Sequence, residues 1–192
     1  TAPAMSHQVC MMLMRWGEWP PWISVTMRTL ELNPAVRFII FGDSRPKVAA
    51  WPSNCEFHRQ TAADLLKRLR SRLGTAPRTL NGMGSTSKIS DFKPMLGALY
   101  PDMLAGCGFW GYMQEDQMLG NLLHFLDGRM LASFDTISPL PEPMRNAGPF
   151  MVFRNSRYVN ELYRLSADLQ PVVSAPDYQV FDEWWGPLAD TM

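Results

Sequence analysis

The sequence predicts an α/β protein in which a mostly parallel central sheet is flanked by helices. Two short runs are apolar almost throughout, "HQVCMMLM" (7–14) and "VRFIIFGD" (36–43), as expected for strands that are buried on both faces. Segments with apolar residues at helical spacing alternate with such runs along the chain. With 192 residues, of which 46% are hydrophobic, the chain is predicted to form a single domain with a substantial core.

Three elements are predicted in the first 43 residues. The two apolar runs are strands, and a Trp/Pro-rich loop, "RWGEWPPW", follows the first of them. A helix is predicted over 23–33, because apolar residues recur there at helical spacing and Asn33-Pro34 ends the pattern.

A second helix is predicted over 61–74. Thr61 and Asp64 can form a capping box, and Gly74 is placed to end the helix. Its apolar stripe and its basic face are both regular, and the basic face is interpreted as solvated rather than phosphate-binding. The stripe consists of Leu65, Leu69 and Leu73, and the basic face of Lys67, Arg68, Arg70 and Arg72.

The second half of the chain continues the alternation. Residues 75–87 are predicted to form a small-residue loop, whose "GMGSTS" fits neither of the two common phosphate-loop patterns. After it come a helix (94–105), a strand (107–113), two strand candidates, "FDTIS" (134–138) and "GPFMVFRN" (148–155), and a helix (156–169). The aromatic side chains of "GFWGYM" and the methionines of "MMLM" are predicted to pack in the core.

Composition and charge exclude several classes of protein. Lys+Arg and Asp+Glu both number 18, which argues against a general nucleic-acid or membrane-surface binder. No apolar run is long enough to span a bilayer, and no signal peptide is visible. Because the chain begins at Thr1 rather than Met, we expect a trimmed segment that can have lost a targeting sequence or an anchor.

The three cysteines, Cys10, Cys55 and Cys107, are far apart in sequence. They lack the Cys-x-x-Cys or Cys/His spacing of a zinc site. We expect free buried thiols, with a single disulfide as the open alternative. The three histidines have no partners at metal-ligand or catalytic-triad spacing and receive no role.

Polar residues cluster just after the predicted strands, where ligands bind in open parallel sheets. They lie in "RWGEWP" after the first strand, at Asp43 after the second, in "QED" (114–116) after the central strand and in "FDE" (181–183) near the end. "SKISDFKP" (87–94), ahead of the central strand, adds two lysines that are able to face a diphosphate. Taken singly, each of these sites is more typical of a solvated loop than of a functional group.

Together these blocks resemble a family of glycosyltransferase-like proteins of the GT-A type. The blocks in this chain are "RWGEWPPW", "LELNPAVRFIIFGD", "SKISDFKPMLGALYPDML", "GFWGYMQEDQMLGN", "FDTIS", "FMVFRNS" and "VFDEWW". The family pattern runs approximately FGxWPxW, NPxxDFxxFTD, KxCDFKPxxG, FWGYxDxDxxxGD, a strand carrying RN, and a late FDE. The resemblance extends from about residue 9 to 185. It implies a GT-A-like, Rossmann-like fold with a nucleotide-binding half (about 1–120) and an acceptor half (about 121–192).

The resemblance also implies roles for individual residues. The residues that match the family's nucleotide-sugar site are Trp16, Gly17, Asp43, Lys88, Asp91 and Lys93. Those that match its Mn2+ or Mg2+ site are Gln114, Glu115 and Asp116, and those that match its catalytic carboxylates are Asp182 and Glu183. A divalent cation bound through carboxylates would neutralise the leaving diphosphate. A carboxylate base would take the proton of the acceptor hydroxyl.

The metal motif departs from the family pattern, because Gln114-Glu115-Asp116 stands where Asp-x-Asp is usual. Gly108 and Asn121 also stand where acidic residues are usual. A glutamine offers a neutral oxygen to a cation but no charge. If the segment stays extended, Gln114 and Asp116 share a face; if the chain turns at once, Glu115 can swing in as a replacement ligand.

The expected function is the transfer of a sugar from a nucleotide sugar, UDP-linked by default, to the hydroxyl of a glycan or another acceptor. The alternative is a catalytically inactive relative that binds a nucleotide sugar or glycan without turnover, which the altered metal motif favours. A metal-dependent nucleotidyltransferase is a weaker third hypothesis, since it needs more clustered carboxylates. The expected compartment is the cytoplasm for a bacterial protein and the Golgi lumen for a eukaryotic one.

Overall fold

A six-stranded sheet with the order β3-β2-β1-β4-β6-β5 forms the centre of the molecule. The structure, a computed structural model, describes residues 7–80, 87–140 and 147–183. The four strands from β3 to β4 are parallel, and β6 runs antiparallel to both of its neighbours, β4 and β5. The strands are β1 (His7–Met14), β2 (Arg37–Gly42), β3 (Cys55–Arg59), β4 (Cys107–Met113), β5 (Thr136–Ile137) and β6 (Phe150–Arg154). The predicted α/β class with a mostly parallel sheet is confirmed.

Short helices cover the sheet. They are α1 (Ile23–Glu31), α2 (Ala62–Leu73), α3 (Leu96–Leu99), α4 (Leu122–Phe125), α5 (Gly128–Ser133), α6 (Arg157–Asn160) and α7 (Leu169–Ser174), with 3₁₀ helices at Lys88–Met95 and Leu162–Leu165. The predicted capping box of α2 is present at Thr61 and Asp64, and Gly74 ends the helix in the left-handed conformation. Across the described residues, none of these helices has the length and apolarity to cross a membrane.

Both faces of the sheet are covered by core, which explains why β1 is apolar without alternation. Cys10 and Met12 belong to the core on one face, while Met11 and Leu13 belong to the core on the other. The predicted core role of "MMLM" and "GFWGYM" is confirmed, since the aromatic side chains of β4 are at most 5% exposed.

The expectation of free thiols is wrong for two of the three cysteines. Cys10 in β1 and Cys107 at the start of β4 form a disulfide, and Cys55 is free and buried. These cysteines are 97 residues apart, and only the pairing of β1 with β4 brings them together. Burial raises the pKa of the Cys55 thiol to about 12, so this side chain is an unreactive core residue.

Two predicted helices need correction, and one strand was not predicted. The helix predicted over 94–105 is instead a 3₁₀ helix that begins at Lys88, followed by four residues of α3. The helix predicted over 156–169 is divided into α6, a 3₁₀ turn and α7, because Ser166 is extended and its hydroxyl accepts from Asp168 N. Strand β3 was not predicted, since as an edge strand it carries polar residues. Most of "GMGSTS" lies outside the described residues.

Candidate functional site

The turn after β1 is joined to the turn after β2. Gly17 has a φ of 83°, and its N–H lies 3.2 Å from both carboxylate oxygens of Asp43. Trp16 is buried, and its indole N–H donates to the carbonyl of Gln60 over 2.7 Å. Of the two residues predicted in this loop, Gly17 therefore lies with Asp43 at the carboxyl edge of the sheet, while Trp16 anchors the loop in the core.

The acidic turn after β4 adopts the second of the two predicted alternatives, in which the chain turns at once. The strand ends at Met113, and the N–H of Gln117 donates to the carbonyl of Gln114 over 3.3 Å. Glu115 is only 4% exposed, whereas Asp116 is exposed. Glu115 is therefore the inward-facing carboxylate of this turn.

Arg15 holds the carboxylate of Glu115. Its Nη1 donates to Glu115 Oε1, which joins the end of β1 to the end of β4. The backbone of Glu115 is fixed as well, because its carbonyl accepts from the hydroxyl of Thr26 in α1 over 2.7 Å. A buried carboxylate needs such a partner, since an uncompensated charge is costly in the protein interior.

The predicted metal ligands form a donor set that does not fit a divalent cation. Hard cations are bound by several oxygens, usually including more than one carboxylate. Here Glu115 is already neutralised by Arg15, Asp116 is exposed, and Gln114 carries no charge. Among the residues that the structure describes, no group of three or more His, Cys, Asp or Glu side chains is arranged to hold a metal ion.

Lys88 and Asp91 form an ion pair inside the 3₁₀ helix. Lys88 Nζ lies 2.8 Å from Asp91 Oδ2, both side chains have no exposed surface, and the ammonium also donates to the carbonyl of Val172. The contact of Lys88 with a diphosphate and the role of Asp91 in nucleotide-sugar binding stay predictions, but in this structure neither charge faces solvent.

Asp91 also binds the C-terminal segment Tyr178–Glu183. Its two carboxylate oxygens accept from Gln179 N and Phe181 N, each over 2.9 Å. Val180 between them has a φ of 56°, which is unusual for a β-branched residue. This conformation turns both neighbouring N–H groups towards one anion, and the segment is fixed on the 3₁₀ helix as a result.

Lys93 and Asp182 form a second buried pair. Lys93 Nζ lies 2.7 Å from Asp182 Oδ2 and also donates to the carbonyl of Gly148 over 2.8 Å. The other carboxylate oxygen of Asp182 accepts from the hydroxyl of Tyr178 over 2.7 Å. Burial raises the pKa of Asp182, and the charge and hydrogen bond of Lys93 oppose this shift.

Glu183 follows this pair and is partly exposed. Its side chain lies against Gly148, where an added Cβ would come within 2.4 Å of Glu183 Oε1. The hydroxyl of Tyr178 also lies 3.3 Å from Oε1. Any side chain at position 148 would displace the carboxylate, so Gly148 is needed for its position.

A narrow crevice separates Lys93 from Glu115. Its volume is about 10 Å³, roughly the space of one water molecule. Tyr112 lines it, and burial, followed by the charges of Asp182 and Glu183, raises the pKa of the Tyr112 hydroxyl well above its usual range. The crevice therefore lies between the acidic turn after β4 and Lys93, the partner of Asp182.

A wider cleft of about 460 Å³ opens beside the carboxyl ends of β1 and β2, and we call it the β1–β2 cleft. Trp19 lies on its wall with its indole N–H donating to the carbonyl of Ser44 over 2.7 Å. Arg45 and Lys47 are exposed at the cleft, and the guanidinium of Arg45 stacks on Trp51 at 3.9 Å. Its lining residues are Glu18, Trp19, Pro20, Pro21, Ile23, Ser44, Arg45 and Lys47.

Sequence reasoning missed several of these residues. Arg15 and Arg45 follow the ends of strands, so the rule that located Asp43 applies to them too. Gly148 and Tyr178 had no sequence signal, because their roles depend on contacts with residues far away in the chain.

Comparison with known proteins assigns the chain to a family without assigning it a function. No curated protein matches the sequence. A model of one protein family, described as a family of unknown function (DUF6625), matches residues 11–190, which include all of the site residues described above. The chain belongs to this family of unknown function, DUF6625.

Proposed function

We propose that this chain is a glycosyltransferase of the GT-A type, which moves a sugar from a nucleotide sugar, with UDP as the default nucleotide, to an acceptor hydroxyl. One observation carries the proposal. Groups from distant parts of the chain, including Asp43, Glu115 and Asp182, lie in connected contacts at the carboxyl edge of the parallel strands. In open α/β sheets this edge is where ligands bind.

The β1–β2 cleft supports the nucleotide side of the proposal. Its volume of about 460 Å³ lies within the range of small-molecule sites. Trp19 offers an aromatic wall, and Arg45 and Lys47 offer exposed positive charge to phosphate oxygens. Asp43, next to Gly17, is available to accept a hydrogen bond from a ribose hydroxyl.

The C-terminal segment supports the acceptor side. Asp182 has no exposed surface and serves as a positioning residue with Lys93, whereas Glu183 is partly exposed and is the better candidate for the base. In the proposed reaction Glu183 takes the proton of the acceptor hydroxyl. The acceptor oxygen then forms a bond to the anomeric carbon as the bond to the nucleoside diphosphate breaks, and the diphosphate leaves with the electron pair.

A second candidate is the inactive relative that binds a nucleotide sugar without turnover. The ion pair between Arg15 and Glu115 favours it, because the one inward carboxylate of the altered motif is already neutralised. The two candidates share a ligand and differ only in turnover.

The proposal is tested by thermal stabilisation with UDP, followed by a UDP-release assay on a panel of UDP-sugars. We expect UDP to raise the melting temperature, and we expect UDP release to be lost in Glu183→Gln while UDP binding is kept. Glu161→Gln is the matched control, because Glu161 is a half-exposed partner of Arg157 at 3.7 Å and lies outside the site.

The outcomes separate the candidates. UDP binding without release from any sugar would support the inactive relative. Stabilisation by no nucleoside diphosphate would exclude both, and release that is unchanged in Glu183→Gln would remove the role of this residue as base.

A further inference from the structure

Arg15 is clamped at the carboxyl edge of the sheet. Its backbone N–H donates to Phe41 O over 2.9 Å, and its carbonyl lies so close to Gly42 that a Cβ there would come within 2.3 Å of the oxygen. Its Nε and Nη2 both donate to the carbonyl of Glu18, over 3.1 and 2.9 Å. The guanidinium is therefore held in a fixed position between the ends of β1 and β4.

The ion pair with Glu115 leaves Arg15 with donors to spare. A guanidinium has about five N–H donors. Within the described part of the chain, one of them binds Glu115 and two bind Glu18 O. The Arg15 side chain is 21% exposed, against 5% for Glu115, so the cation is the more accessible member of the pair.

A divalent cation at Glu115 would have to displace this guanidinium. It would then leave Arg15 next to a second positive charge, and the motif offers only the exposed Asp116 as a further anionic ligand. A fixed guanidinium can itself accept part of the charge of a phosphate, through parallel N–H···O bonds.

We propose that Arg15 takes the place of a divalent cation in this chain, so that a nucleoside diphosphate binds here without metal. This inference rests on the proposed nucleotide site and specifies how the charge of the diphosphate is met. Arg15 supplies fixed positive charge beside Glu115, and Arg45 and Lys47 supply exposed charge at the β1–β2 cleft.

The experiment measures two equilibria by calorimetry on the purified chain: UDP binding in EDTA and in excess Mn2+, and Mn2+ binding without nucleotide. In the wild type we expect equal UDP affinity in EDTA and in Mn2+, and no tight Mn2+ site. In Arg15→Met we expect about tenfold weaker UDP binding in EDTA, because a charge-assisted contact is lost. We also expect Mn2+ to restore part of that affinity, since Glu115 is then unpaired.

Arg28→Met is the matched control, because Arg28 pairs with Glu31 on the exposed surface of α1 and should leave both equilibria unchanged. Arg15→Lys keeps the charge and is the second variant, to be used if Arg15→Met fails to fold. We expect its UDP affinity in EDTA to lie between those of the wild type and Arg15→Met. The wild-type measurements do not depend on either variant.

Each outcome has a distinct meaning. Wild-type UDP binding that requires Mn2+, or tight Mn2+ binding by the wild type alone, would overturn the role of Arg15 and leave the proposed function intact. Absence of nucleoside diphosphate binding in both EDTA and Mn2+ would instead remove the proposed function.

Discussion

Two regions at the carboxyl edge of the sheet carry positive charge in different ways. In the 3₁₀ helix Lys88–Met95, both lysines are buried and paired with Asp91 and Asp182. In the β1–β2 cleft, Arg45 and Lys47 are exposed. The sequence predicted that Lys88 and Lys93 face a diphosphate, but of the two regions only the cleft presents its charges to solvent.

The comparison teaches that a basic residue in a motif can serve the fold rather than the ligand. The buried pairs connect the 3₁₀ helix to α7, to Gly148 and to the C-terminal segment Tyr178–Glu183. These contacts hold the segment that carries Glu183. The exposed residues of the cleft are free of that task, so their substitution should change binding rather than stability.

The largest effect is expected for Asp91→Ala. It leaves Lys88 buried without its partner and removes the acceptor for two backbone N–H groups of the C-terminal segment. We expect the free energy of unfolding to fall by about 4 kcal/mol, measured by urea denaturation. Glu31→Ala, which breaks an exposed pair, should cost no more than about 1 kcal/mol. Equal losses in the two variants would mean that burial of the pair has no energetic consequence.

The disulfide between Cys10 and Cys107, which joins β1 to β4, is expected to have the next largest effect. Closing a loop of this length restricts the unfolded chain, so Cys10→Ala/Cys107→Ala should lower the free energy of unfolding by about 3 kcal/mol.

Thiol titration checks the pairing directly. The native chain should react slowly at Cys55, the unfolded chain should expose one thiol, and the reduced unfolded chain three. Three thiols in the unreduced unfolded chain would contradict the disulfide.

A smaller effect is expected in the cleft itself. Arg45→Met should weaken UDP binding about tenfold through the loss of a charged contact. It should change the free energy of unfolding by no more than about 0.5 kcal/mol, because the side chain is exposed. Arg70→Met, on the exposed face of α2, is the control for a general loss of positive charge. If Arg45→Met lowered stability without changing UDP affinity, Arg45 would serve the fold, as the buried lysines do, and not the ligand.

The sequence predicted the fold class, the helix α2 and the strands of the sheet centre because these depend on local patterns. The capping box at Thr61 and Asp64 and the continuous apolar run of β1 are readable without tertiary contacts. The 3₁₀ helix was misread because Lys88, Asp91 and Lys93 are polar by type, and only their partners explain their burial.

The same limit applies to the site. Asp43 and the acidic turn at 114–116 were found, because the position of a strand end is a local property. The ion pair of Arg15 with Glu115 joins residues 100 positions apart, and the pair of Lys93 with Asp182 spans 89. No local pattern indicates which charge is neutralised by another.

The smallest expected effect is on the pH dependence of stability. A buried and a part-exposed carboxylate should change the slope of stability against pH in opposite directions. The pKa of Glu56 is lowered, first by its hydrogen bond with Arg37, whereas the pKa of Asp182 is raised by burial. Stability from Glu56 is therefore present above the unfolded pKa of about 4.3 and is lost as the pH falls through the lower folded value. The contribution of Asp182 is present below about 3.9 and is lost as the pH rises through its raised pKa.

Urea denaturation of the wild type, Glu56→Gln and Asp182→Asn should be compared between about pH 3 and pH 7, a range that contains both ordinary carboxyl pKa values. The free energy of unfolding of the wild type relative to each variant should then change with pH in opposite directions. The stability of the wild type relative to Glu56→Gln should rise with pH, by no more than about 1 kcal/mol, because the ion pair with Arg37 is part-exposed. The stability of the wild type relative to Asp182→Asn should fall over the same range. If both stability differences rose with pH, the effect of Lys93 on the pKa of Asp182 would be larger than the effect of burial. Buried and part-exposed carboxylates would then not differ in the sign of their contribution.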